Sequence, residues 1–143
     1  DYRMNDKQYQ ALIDDRIFVG GVADVQRAIE DEKIDVVYDL RAEVAASSSE
    51  ISKHQPIVDD GEFQDESIRT GVKQIVQDYQ DGKKIFFHCN SGRGRAGTMA
   101  VATLMELRLA DSIEEAEARV KMVRPEVDVK PQFKEALKRI YGA

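Results

Sequence analysis

The feature that most constrains the fold is residues 98–109 (TMAVATLMELRL), where apolar side chains would surround a helix on almost every side. A helix without a polar face must be covered all round, so we expect it in the middle of a domain. The residues before it, 84–88 (KIFFH), predict a short buried strand. A strand that leads into a buried helix favours an α/β arrangement.

The rest of the chain repeats this alternation of strand and helix patterns. Further strands are predicted at residues 16–19, 35–40 and 54–58, the last confined to an edge or a strand end by Pro56. Helical spacing is found at residues 22–29 and 68–79, after the capping box Ser112–Glu115, and from Pro131 onward. We therefore predict an α/β domain with a central, mostly parallel sheet of four to five strands flanked by helices.

The length of 143 residues predicts a single domain over residues 1–143, with residues 1–14 as an N-terminal extension or helix. No repeat or linker divides the chain, and residues 45–50 (AASSSE) read as an exposed loop. The net charge of -6 argues against a protein that coats nucleic acid or an anionic membrane. No apolar run approaches the roughly 18 residues that a membrane span needs.

The chain has one cysteine, Cys89. A single thiol excludes an intrachain disulfide framework and a zinc site of several thiolates. The simplest setting for such a chain is a reducing compartment, so we expect a cytoplasmic protein.

Residues 88–98 (HCNSGRGRAGT) lie between the strand at 84–88 and the buried helix. A strand, a glycine-containing loop and a helix N-terminus together make a cradle for an anion, because backbone N–H groups and the helix dipole point at one ligand. Gly92 and Gly94 let the backbone curl around the anion where a Cβ would obstruct it. Asn90, Ser91 and Arg93 complete the loop.

Cys89 begins this loop and Arg95 follows six positions later. The helix N-terminus and Arg95 both favour the thiolate form of the cysteine, which is the nucleophilic form. The planar guanidinium of Arg95 can hold two oxygens of a phosphate. The combination indicates a nucleophile aimed at a phosphorus atom whose oxygens the loop already holds.

Two other interpretations of this segment are weaker. The glycines at 92, 94 and 97 match a dinucleotide fingerprint, but a capped helix at residue 112 stands where that fold needs another strand and an acidic residue. A Cys–His catalytic pair is disfavoured because neighbouring strand residues point to opposite faces. We therefore expect His88 to be a hydrogen-bonded, orienting residue beneath the loop.

The segment His88-Cys89-Asn90-Ser91-Gly92-Arg93-Gly94-Arg95 resembles the active-site loop of cysteine-dependent protein tyrosine phosphatases, and is closest to the compact dual-specificity branch. Rhodanese-type sulfurtransferases typically have a cradle one residue shorter. Four further segments are similar to the same family: residues 16–21, residues 36–41, residues 56–60, and residues 124–137 with Arg124-Pro125 and Phe133.

The resemblance implies a phosphomonoester hydrolase that needs no cofactor and no metal. Cys89 would form a phosphocysteine intermediate, with Arg95 and the amides of residues 90–95 holding the phosphate. Asp59 lies where the family places its general acid, and the neighbouring Asp60 is the alternative. The expected substrate is a phosphorylated protein, with phosphotyrosine first and phosphoserine and phosphothreonine as further candidates, or another phosphate ester.

One position departs from the family pattern. Ala96 stands where the family has a serine or threonine whose hydroxyl stabilises the departing thiolate. The departure predicts a slow second step unless Thr98 or Ser91 supplies a donor. It leaves open the alternative of a catalytically impaired phosphate-binding module. A phosphatase for a non-protein ester such as a phosphoinositide is a further alternative, because the sequence gives the cradle but not the depth of the pocket.

Overall fold

A computed structural model describes residues 8–44 and 49–142. Within these ranges five strands form one sheet: β1 (Gln10–Ile13), β2 (Ile17–Gly21), β3 (Val36–Asp39), β4 (Ser52–His54) and β5 (Ile85–Cys89). Five α-helices flank the sheet: α1 (Val25–Glu32), α2 (Gln64–Gln80), α3 (Arg95–Glu106), α4 (Ile113–Val123) and α5 (Pro131–Tyr141).

The strand order is β1-β2-β5-β3-β4, so β5 lies at the centre of the sheet. The β2–β5, β3–β5 and β3–β4 pairs are parallel, and the β1–β2 pair is antiparallel. Every residue of β2, β3 and β5 is buried. The prediction of a mostly parallel α/β sheet of four to five strands is therefore confirmed.

Side chains of the central strands alternate between two hydrophobic clusters. Ile85 and Phe87 belong to the larger cluster, which includes residues of α2, α3, α4 and α5. Phe86 lies between them in sequence and packs on the opposite face, in the smaller cluster with Ala28 of α1. This alternation is the period of two expected of strands covered on both faces.

Helix α3 is buried along residues 96–104, as the apolar segment predicted. The Ser112 Oγ atom accepts a hydrogen bond of 3.0 Å from the Glu115 N–H at the start of α4, and α5 begins at Pro131. The loop of residues 90–94 joins the end of β5 to the start of α3, so it lies at the carboxyl edge of the central strand. Ligands of open α/β sheets bind at this edge.

The structure corrects two boundaries. Residues 1–14 were expected to be an extension or a helix, but residues 10–13 form β1, which a tight turn with Asp14 at φ 44° folds onto β2. Residues 1–7, and residues 45–48 of the expected exposed loop, lie outside the described residues. The strand expected at 54–58 is instead β4 at 52–54, and it ends before Pro56, which has no N–H to donate to the sheet.

None of the helices in the described ranges is long and apolar enough to cross a membrane.

Candidate active site

Cys89 is the last residue of β5 and pairs in register with Gly21 of β2. Its side chain belongs to the larger hydrophobic cluster and is 5% exposed. The Gly92 N–H donates to the Cys89 Sγ atom at 3.2 Å, which shows that the loop turns back over the sulfur. A backbone N–H aimed at the sulfur is a donor to the negative charge that a nucleophilic thiolate carries.

The loop is pressed against the end of β2. Gly92 has φ 76°, and a Cβ there would lie 2.7 Å from the Gly20 carbonyl carbon. A Cβ on Gly21 would lie 2.9 Å from the Asn90 carbonyl oxygen, and that oxygen accepts a hydrogen bond of 3.1 Å from the Val22 N–H. Glycines are required on both sides because the two backbones meet without room for a side chain.

Arg124, directly after α4, holds the loop from below. Its Nε atom donates to the Gly92 carbonyl at 2.9 Å and its Nη2 atom to the Ser91 carbonyl at 3.1 Å. Its Nη1 atom donates to the Gln8 carbonyl at 2.5 Å and to the Gln10 side chain at 2.6 Å. Arg124 is 3% exposed, so a buried fork of donors fixes two consecutive carbonyls of the loop.

His88 lies on the opposite face of β5 from Cys89, stacked on Phe86 with ring centroids 5.9 Å apart. Its Nδ1 atom is 3.0 Å from the Cys89 carbonyl oxygen. Burial lowers the pKa of His88, so the ring is neutral at pH 7 and Nδ1 donates to that carbonyl. This geometry fits the orienting role predicted for His88. Because the ring lies on the other face of β5, it cannot reach the Cys89 sulfur to act as its base.

Asp39 ends β3 beside His88 and binds Arg41 in a two-pronged ion pair. The Arg41 Nε and Nη2 atoms each lie 2.9 Å from an oxygen of the Asp39 carboxylate. Burial alone would raise the pKa of Asp39, but the hydrogen bonds from Arg41 outweigh it and hold that pKa below its usual value. Arg41 also interacts electrostatically with Cys89, so it adds positive potential near the thiol.

Arg95 is the first residue of α3 and lies between two carboxylates. Its Nη2 atom is 2.8 Å from Asp59 Oδ1, and its Nη1 atom is 3.0 Å from Glu43 Oε2. Its Nε atom is the one buried side-chain nitrogen or oxygen of the described residues without a hydrogen-bond partner. The guanidinium therefore has an N–H that still needs an acceptor.

The loop forms the floor of a cleft of about 380 Å³. The residues that line it are Asp59, Cys89, Asn90, Ser91, Arg93, Gly94, Arg95, Glu126, Asp128, Lys130 and Phe133. Asp59, the predicted acid, is among them. The alternative acid Asp60 is exposed and is absent from this lining among the residues the structure describes.

Ala96 is fully buried at the start of α3. Thr98, one of the two residues named above as sources of a replacement hydroxyl, is also fully buried, and its Oγ1 atom donates to the Gly94 carbonyl at 2.9 Å. A hydroxyl already committed to a backbone carbonyl cannot donate the same proton to sulfur. Ser91 lines the cleft and remains the other candidate.

Sequence reasoning missed several residues of this site. Glu43 contacts Arg95 from 52 positions away, and nothing in the local pattern around it indicates that contact. The sequence indicates Arg124 only as part of a similar segment and, before Pro125, as a structural residue, and it does not indicate which backbone groups Arg124 binds. Within residues 8–44 and 49–142, no group of three His, Cys, Asp or Glu side chains is arranged to hold a metal ion.

The chain is similar to known proteins both in sequence and in structure. The family model described as the catalytic domain of dual specificity phosphatases matches residues 17–142. A search of curated proteins found no match to the sequence.

Three solved structures illustrate the structural likeness. Tk-PTP in the active form is 26% identical, with 94% of this chain and 97% of that chain covered and a TM-score of 0.78. PTPMT1 in complex with PI(5)P is 22% identical, with 94% of each chain covered and a TM-score of 0.78. Human DUSP28 is 18% identical, with 94% of this chain and 93% of that chain covered and a TM-score of 0.79.

Proposed function

The chain belongs to the dual specificity phosphatase family, and on that premise we propose that it hydrolyses phosphomonoesters through a phosphocysteine intermediate on Cys89. The observation that carries the proposal is the loop from Cys89 to Arg95, which brings a sulfur and a guanidinium with one unsatisfied N–H into the lining of one cleft. We propose residues 1–143 as a single catalytic domain, and a cytoplasmic location stays a prediction.

In the first step the Cys89 thiolate attacks phosphorus, an S–P bond forms and the ester O–P bond breaks. The guanidinium of Arg95 and the amides of residues 90–95 hold the oxygens on which negative charge is spread in the transition state. Asp59 gives its proton to the leaving oxygen. The products of this step are the free alcohol or phenol and phosphocysteine.

In the second step water attacks the phosphocysteine, the S–P bond breaks and inorganic phosphate leaves. The Asp59 carboxylate now takes a proton from the water, so one residue serves as acid and then as base. Cys89 departs as a thiolate, which the Gly92 N–H stabilises from 3.2 Å. The buried methyl group of Ala96 gives no such donor.

Substrate binding must rearrange the contacts of Arg95. In the free site two carboxylates, Asp59 and Glu43, take two guanidinium nitrogens. A phosphate dianion offers three oxygens in their place and also an acceptor for the unpaired Nε atom. The Asp59 side chain, released from the guanidinium, can then approach the leaving oxygen.

The charges around the cleft favour a single phosphate group over a polyphosphorylated one. The three cationic side chains of the lining, Arg93, Arg95 and Lys130, are matched by three carboxylates, Asp59, Glu126 and Asp128. A cleft built for several phosphates would carry an excess of positive charge. We therefore favour a phosphorylated protein as substrate over a phosphoinositide.

The test is hydrolysis of an aryl phosphate across pH with a chelator present. We expect turnover that falls by on the order of 10⁴-fold in Cys89→Ser, which lacks the nucleophile. Asp59→Asn should lose about 10²-fold in kcat/KM and also the decline of kcat/KM toward high pH, because that decline reports loss of the donated proton. Asp60→Asn is the matched control, and a Cys89→Ser variant as active as wild type would refute the proposal.

Ala96 offers a second test, which separates an active enzyme from an impaired phosphate-binding module. If breakdown of phosphocysteine limits turnover, wild type releases a burst of phenol equal to the enzyme concentration, followed by slow turnover. Ala96→Ser should then raise kcat and reduce the burst. A wild type that binds orthovanadate but shows neither burst nor turnover would favour the binding module.

The substrate class is tested by comparing kcat/KM for a phosphotyrosine peptide with that for a soluble inositol phosphate. We expect the peptide to be the better substrate because it brings one phosphate to a cleft of balanced charge. A clear preference for the inositol phosphate would favour the phosphoinositide alternative.

A further inference from the structure

Gln64 makes a contact to the backbone of the proposed general acid. Gln64 is the first residue of α2, and its Nε2 atom donates to the Asp59 carbonyl oxygen at 2.6 Å. A polar side chain is rarely this buried unless it is hydrogen-bonded, and Gln64 is 3% exposed. The Asp59 carboxylate meanwhile extends into the cleft and lies 2.8 Å from Arg95.

The other end of the Gln64 amide is held by α5. The Arg139 Nη2 atom donates to Gln64 Oε1 at 3.1 Å. Arginine can only donate and a carbonyl oxygen can only accept, so these two partners fix which end of the amide faces Asp59. Arg139 is itself held by Asp65, whose two oxygens each lie 2.8 Å from its nitrogens.

Three further hydrogen bonds close the segment of residues 58–61 onto the first turn of α2. The Val58 N–H donates to Ser67 Oγ at 3.1 Å, and the Ser67 hydroxyl donates to the Gln64 carbonyl at 2.7 Å. The Gln64 N–H donates to the Gly61 carbonyl at 3.3 Å. Gln64 takes part through its side chain, its N–H and its carbonyl, so it is the centre of the support beneath Asp59.

We propose that Gln64, oriented by Arg139, is a positioning residue for proton donation by Asp59. The inference rests on the proposed function, since it assumes that Asp59 is the general acid. Among the described residues Gln64 is not part of the cleft lining, so it acts on the cleft through its hydrogen bond to Asp59. Its effect is to hold the Asp59 backbone so that the carboxyl group reaches the leaving oxygen.

This role makes a specific kinetic prediction. A general acid works only within hydrogen-bond reach of the atom it protonates, and a displacement of about 1 Å can cost on the order of 10²-fold in rate. A poor leaving group depends on the donated proton, whereas a good leaving group departs almost unaided. Loss of positioning should therefore slow esters of weakly acidic phenols much more than esters of strongly acidic ones.

The test uses Gln64→Met, which keeps the volume of the side chain and removes both side-chain hydrogen bonds. It compares kcat/KM for phenyl phosphate, a poor leaving group, with that for p-nitrophenyl phosphate, a good one. For each substrate kcat/KM reports the steps up to departure of the phenol, so a slow second step caused by Ala96 does not affect it. We expect a loss of about 10-fold for phenyl phosphate and less than about 2-fold for p-nitrophenyl phosphate.

Two controls separate positioning from a general loss of structure. Gln77→Met changes the same residue type near the other end of α2, where Gln77 donates to Asp81 at 3.1 Å, and should leave both substrates unaffected. In the Asp59→Asn background the acid is already absent, so adding Gln64→Met should cause no further loss. Binding of orthovanadate, which needs the loop of residues 89–95 but no proton donor, should stay at the wild-type level.

An equal loss on both substrates, or an undiminished loss in the Asp59→Asn background, would overturn the inference and leave Gln64 a purely structural residue. Those results would leave Cys89-dependent hydrolysis by wild type intact, so the proposed function would stand. If wild-type turnover instead equals that of Cys89→Ser, the proposed function fails and the inference falls with it. A selective loss of kcat/KM on phenyl phosphate that disappears in the variant carrying both Asp59→Asn and Gln64→Met supports the proposed function and the inference.

Discussion

The two loops that meet in the cleft are built in different ways. The loop of residues 89–95, which we call the sulfur loop, is held by Arg124 from below and by Gly20 and Gly21 from the side. The segment of residues 58–61, which we call the acid segment, includes two exposed residues, Asp59 and Asp60, and is closed by hydrogen bonds to the start of α2. The sulfur loop is thus fixed by close backbone packing and a buried arginine, and the acid segment by hydrogen bonds to α2 that leave its two aspartates exposed.

This difference matches the two tasks that the loops would perform. A cradle for phosphate works best when its donors are already in place, because no energy is then spent on ordering them during the reaction. A proton donor must leave the guanidinium when phosphate arrives and approach the leaving oxygen instead. Because the Asp59 side chain is exposed, it can make that adjustment while its backbone stays hydrogen-bonded to Gln64.

The largest expected effect comes from a pair of glycines with positive φ, one in each loop. Gly92 has φ 76°, and a Cβ added there would lie 2.7 Å from Gly20 atoms. Gly61 has φ 89°, and a Cβ added there would have open space around it. Gly92→Ala should lower the free energy of unfolding by about 3 kcal/mol and kcat/KM by about 10²-fold, from overlap and strain together. Gly61→Ala should cost only the strain, about 1 kcal/mol, and keep orthovanadate binding.

Urea unfolding and orthovanadate titration measure both glycine variants. If Gly92→Ala bound orthovanadate as tightly as wild type, the sulfur loop would not owe its shape to this close contact.

The second prediction compares the side chains that support the two loops. Arg124→Met leaves the buried carbonyls of Ser91 and Gly92 without their donors, and should cost about 3 kcal/mol in unfolding free energy and weaken orthovanadate binding. Ser67→Ala removes the hydroxyl that joins Val58 to α2 and should cost about 1 kcal/mol without changing that binding.

Arg124→Lys is the matched variant, since it keeps the charge but not the planar fork. It should fall between wild type and Arg124→Met in urea unfolding. Equal orthovanadate affinities for Arg124→Met and Ser67→Ala would remove the distinction between the two supports.

The third prediction concerns the contact between the loops. Glu43 competes with phosphate for Arg95, so Glu43→Gln should lower the inhibition constant of inorganic phosphate. We expect a decrease of up to about 5-fold, which is the size of effect that loss of an exposed ion pair produces. Asp60→Asn is the control, because it removes a nearby charge that does not line the cleft. The gain should shrink as salt is added, and a gain of equal size in both variants would indicate a general charge effect.

The smallest expected effect is on stability as a function of pH. Burial lowers the pKa of His88 below its usual value of 6.5, so the unfolded chain binds this proton more readily than the folded one. The free energy of unfolding should therefore be unaffected by His88 above pH 6.5 and fall as the pH decreases below it. The slope for one proton is at most about 1.4 kcal/mol per pH unit.

Asp39 acts in a lower pH window. Its pKa is held below the usual 3.8, so the stability it contributes is present above that value and is lost as the pH falls further. Urea unfolding of His88→Gln between pH 7 and pH 5 should show a shallower slope than wild type. An unchanged slope would mean that His88 does not carry this part of the pH dependence.

Much of the fold was determined by local sequence. The apolar segment at 98–109 predicted a buried helix, and α3 is buried along residues 96–104. The spacing from Cys89 to Arg95 places a sulfur and a guanidinium on one loop, because five residues between a strand and a helix leave little choice of path. Strand β1 was missed because its residues, 10–13, carry a pattern too short to distinguish a strand from a helix.

Only the tertiary structure decided how this loop is held and what surrounds it. Arg124 binds the sulfur loop across 32 positions, Glu43 reaches Arg95 across 52, and Arg139 reaches Gln64 across 75. Such contacts join elements that become neighbours only when the sheet and helices pack, so no local periodicity or spacing records them. The sequence by itself determined which groups can do chemistry, and the packing decided which of them meet, because hydrogen bonds and ion pairs depend on distance in space and not on distance along the chain.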